Sequence, residues 1–290
     1  MTHDRRDLAA GALLVNAAIW GLAWLPLRWL SERGLHPLWA TAVVYALAVA
    51  LITLARPRAW AELARHRALW LIVLFAGGTN ASFNWGVTVG DVVRVVLLFY
   101  LMPLWAVLLG RLLLHEPVTR AAALRVAMAL CGAALVLWPP QGMALHLAPA
   151  DLLGLAGGLC FACNNILLRR AAARGSAAKG LAMFLGGCVV ALLLAVLLAV
   201  APPPAPGPWL WGAAALAAGF MCGNLALQYG ASRLPASTTA VIMVTEVLWA
   251  TGSALLLGAG SASARLAAGG GLIIGAALLA ALPHAAKETT

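Results

Sequence analysis

The chain is a series of long apolar runs separated by short polar connections. The runs are about 20 residues long and nearly free of charge, which is typical of membrane-spanning helices. Inside a bilayer each backbone amide must be satisfied within its own segment, so such runs are expected to be helical. The pattern predicts an all-α integral membrane protein with ten spans, at residues 8–30, 37–55, 68–89, 92–113, 119–138, 150–170, 178–200, 208–231, 236–257 and 265–283.

Composition and charge agree with a membrane protein. Hydrophobic residues make up 63% of the chain and charged residues 10%, which excludes an ordinary soluble domain. With the N-terminus placed in the cytoplasm, only Arg28, Arg33, Arg94 and Arg265 of the 19 lysines and arginines face outward, which leaves fifteen inside. This positive-inside bias predicts a cytoplasmic-membrane protein with both termini in the cytoplasm. Topology thus explains the net charge of +10, and no nucleic-acid partner is expected.

The second half of the chain repeats a pattern of residues that occurs in the first half. A shift of 144 residues superimposes Asn80 on Asn224 and Gly86 on Gly230, and a shift of 141 superimposes Arg28 on Arg169. We therefore predict two five-helix repeats, 1–145 and 146–290, within one membrane domain. Five crossings are an odd number, so the second repeat must be inverted. Many secondary transporters have this architecture, with the substrate site at the midplane between the repeats.

Glu246 is the only acid near the middle of a predicted span, and no lysine or arginine lies at a matching depth. An ionisable residue at the membrane centre is costly, which makes it a candidate functional group. An ionised Glu246 could bind a substrate ammonium, or the side chain could carry a proton in exchange for substrate. A protonated glutamate that donates a hydrogen bond between helices is the structural alternative.

Other polar and aromatic residues recur at helical spacing within the predicted spans. Amides in hydrocarbon need partners, so they face other helices or a water-filled cavity. Mid-span aromatic rings could stack on a substrate or hold a cation, although packing also explains them. Pro103 is either a hinge or a structural kink. The predicted substrate-binding residues are Asn16, Trp20, Trp24, Asn80, Asn84, Tyr100, Trp105, Asn164, Asn165, Asn224, Gln228, Thr245, Glu246 and Trp249.

The sequence contains no complete motif for zinc or phosphate chemistry. Cys160 and Cys163 form a CxxC, but no second pair completes a zinc site, and buried membrane cysteines are usually packing residues. The sequence has no HExxH, and no lysine follows glycine in a phosphate-binding loop. We expect no metal, no cofactor and no enzymatic activity.

Two segments carry a resemblance to a known family. Leu101-Met102-Pro103-Leu104 with the exit Leu112 to Glu116, and the related stretch from Glu246 to Leu257, resemble the EamA-type branch of the drug/metabolite transporter superfamily. The resemblance implies ten helices in an inverted repeat, with spans 1, 3, 4, 6, 8 and 9 lining the cavity. The ninth span departs from the family in lacking a terminal glutamate to match Glu116.

Within that superfamily the polar and aromatic span residues are most similar to those of YddG-type exporters. The resemblance implies a secondary carrier that exports aromatic or other neutral amino acids by alternating access, with protons as a candidate coupling ion. An exporter or facilitator of another small metabolite or drug, and an uncoupled channel, remain as alternatives. The small apolar residues of spans 5 and 10 favour packing within a monomer.

Overall fold

The computed structural model describes residues 3–114, 119–137, 147–171, 173–231, 233–234, 239 and 242–281. These residues form helices and connecting turns, with no strand among them. The helices are α1 His3–Gly21, α2 Trp24–Glu32, α3 Pro37–Ala55, α4 Arg58–Arg65, α5 Arg67–Val89, α6 Val92–Phe99, α7 Met102–Leu114, α8 Arg120–Leu137, α9 Pro149–Arg170, α10 Ser176–Leu197, α11 Trp209–Ala231, α12 Thr245–Leu256 and α13 Ala264–Ala281.

The predicted all-helical membrane class is confirmed. Five stretches are long and apolar enough to cross a membrane, and Ala264–Leu279 is a shorter apolar helix. The five are Asp7–Glu32, Pro37–Ala55, Pro149–Leu168, Ser176–Leu197 and Trp209–Gly230. The protein is therefore a multi-pass integral membrane protein.

Helix α3 shows how local sequence sets a helix boundary. The His36 side chain accepts a hydrogen bond from the backbone N–H of Leu38 and so caps the helix. Pro37 occupies the first turn, where its missing N–H costs nothing. The helix runs to Ala55, and these bounds match the predicted second span.

Two predicted spans contain a helix break, and the one in the fourth span was expected from Pro103. The first is divided into α1 and α2, and the fourth into α6 and α7 with a break at Tyr100 and Leu101. Proline explains both breaks, because Pro26 cannot donate to the Leu22 carbonyl and Pro103 cannot donate to that of residue 99. The Leu22 carbonyl accepts from the N–H of Leu25 instead.

The ninth predicted span, 236–257, contains α12, which begins only at Thr245. Residues 235–238 and 240–241 lie outside the described residues. Helix α4 was not predicted at all; it lies in the connection between the second and third spans. Hydropathy overlooks such a helix because it is short and half polar.

Contacts at successive heights give the relative directions of the helices around α1. Trp20 stacks on Phe220, and Leu13 approaches Gly230, so α1 and α11 are antiparallel. Asn16 contacts Met243 just before α12, and Trp24 of α2 contacts Ser253. The first predicted span is therefore parallel to α12.

Helix α9 has neighbours arranged in the same manner. It is antiparallel to α5, because Gly157 approaches Phe83 while Ala150 approaches Gly90. It is parallel to α6, because Gly154 approaches Val95 and Gly158 approaches Phe99.

Small residues bring two further helix pairs into backbone contact. A Cβ at Gly77 of α5 would collide with the backbone of Gly186 in α10, so neither position has room for a side chain. In the second pair a Cβ at Gly132 of α8 would lie 2.7 Å from the carbonyl oxygen of Gly269 in α13. These contacts join the two halves of the chain.

Candidate functional site

The break in the fourth predicted span faces the start of α12. The Tyr100 hydroxyl donates a hydrogen bond to Oε2 of Glu246 at 3.2 Å. Tyr100 lies eight positions after the first residue of α6, or about 12 Å of helix rise. Glu246 lies ten positions before the last residue of α12, or about 15 Å. Since the bilayer core is about 30 Å thick, this pair lies near mid-depth.

Glu246 is therefore not the unpaired carboxylate expected from the sequence. The expectation considered only lysine and arginine as partners, whereas a buried tyrosine supplies the hydrogen bond. Gly21 of α1 closes the other side of this site, where a Cβ would lie 2.6 Å from the backbone oxygen of Glu246. The site thus brings α1, α12 and the α6–α7 break together.

Asn16 is fully buried beside this site. Its Nδ2 atom contacts the sulfur of Met243 at 3.3 Å, three residues before Glu246. Its Oδ1 atom has no hydrogen-bond partner within the described part of the chain. A buried acceptor without a partner is costly in a resting protein, so it is a candidate for contact with a donor on a ligand.

The two tryptophans of the first span make defined contacts with the second half. Trp20 stacks on Phe220 with ring centroids 4.3 Å apart and planes 13° from parallel. Buried Trp24 donates from Nε1 to Oγ of Ser253 at 3.0 Å. In this conformation both rings contact protein groups.

The amides of α5 bond to α3. Asn80 accepts from the Tyr45 hydroxyl at 2.6 Å and donates to the Ala76 carbonyl, so both of its polar atoms are used. Buried Asn84 donates to Oγ1 of Thr41 at 3.2 Å, and its Oδ1 has no partner among the described residues. Asn80 acts as interhelical glue here, whereas Asn84 keeps one free acceptor.

The remaining predicted residues have varied surroundings. Gln228 donates to Asn224 at 2.6 Å within α11, and Thr245 donates to the Ile242 carbonyl. Asn164 and Trp105 each have a buried polar atom, Oδ1 and Nε1 respectively, with no partner in the described structure.

Three predicted residues are less closely tied to the pair at mid-depth. Asn165 is exposed on α9, and 45% of the Trp249 surface is exposed. Pro103 lies in the first turn of α7, directly after the break.

Several residues at this site were not singled out from the sequence. Tyr45, Thr41 and Ser253 are polar residues inside apolar runs, and the signal that identified the amides could also have identified them. Phe220 and Met243 are apolar residues in apolar runs, so their positions gave no such signal.

A second polar cluster lies at the starts of α6 and α9. Arg94 forms two hydrogen bonds with Asp151, Nε to Oδ1 at 2.7 Å and Nη2 to Oδ2 at 2.8 Å. Asp91 caps α6 through Oδ1, and its Oδ2 accepts from the backbone N–H of Ser261 at 2.9 Å. Asp91 therefore connects the start of α6 to the loop after α12.

A surface pocket of about 320 Å³ lies at the ends of α2 and α5, lined by Arg28, Ser31, Glu32, Thr88 and Val89. The Arg28 guanidinium donates to the carbonyls of Val87 and Gly90 and so satisfies the end of α5. No group of three metal-ligating side chains occurs among the described residues.

Comparison with known proteins shows what this chain is similar to. Residues 8–138 match the EamA-like transporter family. The matched region covers the first five predicted spans, so the first half of the chain is similar to this family of transporters.

A curated relative and a solved structure are also similar to this chain. An uncharacterized transporter of Vibrio cholerae serotype O1 (strain ATCC 39315 / El Tor Inaba N16961) is 28% identical over 141 residues. That match covers 46% of this chain and 47% of the relative, so the chain spans about half the length of this curated relative. A crystal structure 21% identical in sequence shares the fold, with a TM-score of 0.60 over 94% of this chain and 96% of the other.

Proposed function

We propose that this protein is a secondary carrier that exports small amphipathic metabolites, with aromatic or other neutral amino acids as the leading substrates. It works in the cytoplasmic membrane as a monomer, with both termini in the cytoplasm and ten spans. Glu246 is its principal substrate-binding group, and protons are the candidate coupling ion.

The neighbours of α1 and α9 support an inverted repeat. Helix α1 is antiparallel to α11 and, continued by α2, parallel to α12, while α9 is antiparallel to α5 and parallel to α6. A repeat that relates α1 to α9 also relates α11 to α5 and α12 to the α6–α7 pair. The same arrangement would then occur twice, as expected for two halves that rock about a midplane site.

The hydrogen bond between Tyr100 and Glu246 is the observation that carries the proposal. It joins the two halves at mid-depth, beside a helix break and the first turn of another helix. Broken helices near the midplane are where secondary transporters bind substrate. The Glu246 carboxylate can exchange this hydrogen bond for one from a substrate ammonium, because Tyr100 is a neutral donor.

The contacts around Glu246 also favour an amphipathic substrate. Asn16 offers a buried acceptor that has no partner among the residues described, and Trp20 stacks on Phe220 of the neighbouring helix. An ammonium would bind the carboxylate and amide oxygens, while an apolar or aromatic side chain would contact the rings.

The Asp91–Ser261 contact supports alternating access. It lies nine positions along the chain from Tyr100 and joins α6 to the loop after α12, near a contact between Val93 and Gly260. Under the proposal these contacts close the outer end in this conformation and separate when the site opens outward.

Transport by purified protein tests the function. Radiolabelled amino acids would be offered to proteoliposomes, with and without a pH gradient, and we expect saturable uptake of an aromatic or neutral amino acid. Flux that rises linearly with concentration would indicate a channel instead. Absence of amino-acid transport, with saturable transport of another metabolite, would overturn the substrate class.

Glu246→Gln tests the site, because glutamine keeps the shape of glutamate but cannot ionise. We expect transport to fall at least about ten-fold, as for loss of a charged hydrogen bond of about 1.5–3 kcal/mol. A coupling role further requires loss of pH-gradient dependence. The matched control is Glu32→Gln at an exposed position, which should transport normally. Unchanged transport by Glu246→Gln at every pH would show that Glu246 is structural.

A further inference from the structure

Helix α4 follows the boundary of the membrane. It begins three residues after the last residue of α3 and ends two residues before the first residue of α5. Both neighbouring segments are predicted spans, and connections this short hold both ends of α4 at the boundary that the spans share. A half-polar helix in this position lies in the interface plane.

The two faces of α4 differ. Ala59 and Leu63 are four positions apart and are buried against the helix bundle. Arg58 and Arg65 are seven positions apart, on one face, and are exposed. Trp60 is also exposed and donates from Nε1 to Thr53 at the end of α3, as expected of a tryptophan at headgroup level.

Four exposed arginines lie in this segment. Arg56, Arg58, Arg65 and Arg67 are exposed, and their guanidinium groups make no hydrogen bond or ion pair within the described part of the chain. The one acid of the segment is Glu62, and its carboxylate accepts a hydrogen bond from the backbone N–H of Gly175 at 2.9 Å.

From this arrangement we infer that the α4 surface, formed by Arg56, Arg58, Trp60, Arg65 and Arg67, binds the headgroups of anionic phospholipids. Four unpaired cations within twelve residues, held at headgroup depth, match the charge of an anionic leaflet. The inference goes beyond the proposed transport function and does not depend on it. Arginines that act only as topology signals would bind no lipid selectively.

Helix α4 and the residue after it also contact the second half of the chain. Glu62 contacts Gly175, and His66 contacts Arg174 at 3.1 Å, so α4 holds the loop between α9 and α10 on its inner side. Lipid bound to the outer side of α4 would stabilise this arrangement. We therefore expect anionic lipid to raise the thermal stability of the protein as well as to bind.

Lipid binding can be measured without any transport assay. Purified protein would be placed in nanodiscs of phosphatidylcholine alone or with phosphatidylglycerol, and retained phosphatidylglycerol would be counted by native mass spectrometry. The variant Arg58→Gln/Arg65→Gln/Arg67→Gln should bind phosphatidylglycerol at least about ten-fold more weakly, since each arginine near an anionic surface adds several-fold to affinity. The same variant should lose the rise in melting temperature caused by phosphatidylglycerol.

Two further variants test whether the α4 surface, and not the net charge of the protein, binds the lipid. The triple lysine variant keeps the positive charge and should retain most binding. The matched control replaces three other exposed arginines by glutamine, namely Arg111, Arg120 and Arg170. This control should bind phosphatidylglycerol like wild type. Raising the salt concentration should weaken wild-type binding, because exposed charges are screened.

Two results would overturn the inference. One is phosphatidylglycerol binding by the triple glutamine variant that equals wild type. The other is an equal loss in the matched control, which would mean that net charge alone attracts the lipid. If the triple variant does not fold, the single variants Arg58→Gln and Arg65→Gln should each show a partial loss, and wild-type binding in both would refute the inference.

Discussion

The ion pair between Arg94 and Asp151 should be a large single contribution to stability. Both carboxylate oxygens of Asp151 accept from Arg94, and Oδ2 also accepts from the N–H of Ala148 at 2.8 Å. The Asp151 side chain is 2% exposed and that of Arg94 is 23% exposed. The pair thus connects the start of α6 to the start of α9.

Asp151→Asn keeps the volume of the side chain and removes its charge. Removing one partner of a buried ion pair typically costs about 3–5 kcal/mol, because the other charge is left uncompensated. Arg94 is partly exposed and water can recover some of this loss, so we expect about 2–3 kcal/mol. For a chain of this size each kcal/mol lowers the melting temperature by about 2–4 °C, which gives a decrease of about 4–12 °C.

The assay is thermal unfolding in one detergent, followed by tryptophan fluorescence. Wild type, Asp151→Asn, Arg94→Gln and the double variant would be compared at one scan rate, because membrane proteins often unfold irreversibly. The double variant should be less destabilised than the sum of the single variants, since each single variant already breaks the same pair. Glu32→Gln, at an exposed position, is the control and should change stability by less than about 0.5 kcal/mol.

A decrease of less than 2 °C for Asp151→Asn would contradict this reasoning, given the sensitivity of about 2–4 °C for each kcal/mol. Strict additivity in the double variant would also contradict it, because the two side chains would then act independently. Either result would mean that water or another group compensates the charge of Arg94.

Three further predictions follow from the proposed topology and from His36. Cysteines at Asn84 and Gln228 should change reactivity in opposite senses when substrate is added, and parallel changes would argue against alternating access. A cysteine at Gln141, outside the described residues, should react with an impermeant reagent on intact cells; labelling only after permeabilisation would reverse the assigned orientation. Burial lowers the pKa of His36 below its usual value. Its stabilising cap on Leu38 should be fully present above about pH 6.5 and lost as the pH falls through the lowered pKa. His36→Asn keeps a capping acceptor without titrating near neutrality, so a pH profile of melting temperature identical to wild type would exclude this role.

Local sequence determined the helical class and many helix boundaries. Apolar runs of membrane length need no distant partner to become helices, because backbone hydrogen bonds form within the segment. His36 and Pro37 mark the start of α3 for the same reason, since a cap acts on the next few residues only. The position of Pro103 indicated a break near mid-depth, and the structure has one at Tyr100 and Leu101.

The sequence also marked polar residues that belong near one another, but it could not assign their partners. Glu246 and Tyr100 were both candidates, yet they are 146 positions apart, and their hydrogen bond depends on how two helices are rotated and packed. Hydropathy records how apolar a helix is and leaves its rotation undetermined. The same limit explains why the Asn80 oxygen accepts from Tyr45, while the oxygen of Asn84, one turn away, has no partner in the described structure.

Tertiary packing alone decided which side chains face outward and which charges are paired. Trp249 lies one turn from Glu246 and yet has 45% of its surface exposed, because neighbouring helices cover only one side of α12. Asp151 pairs with Arg94, 57 positions away, whereas the arginines around α4 have no partner in the part of the chain that the structure describes. Sequence gives the number and type of charges, but only the folded arrangement brings one charge to its partner and leaves another at the surface.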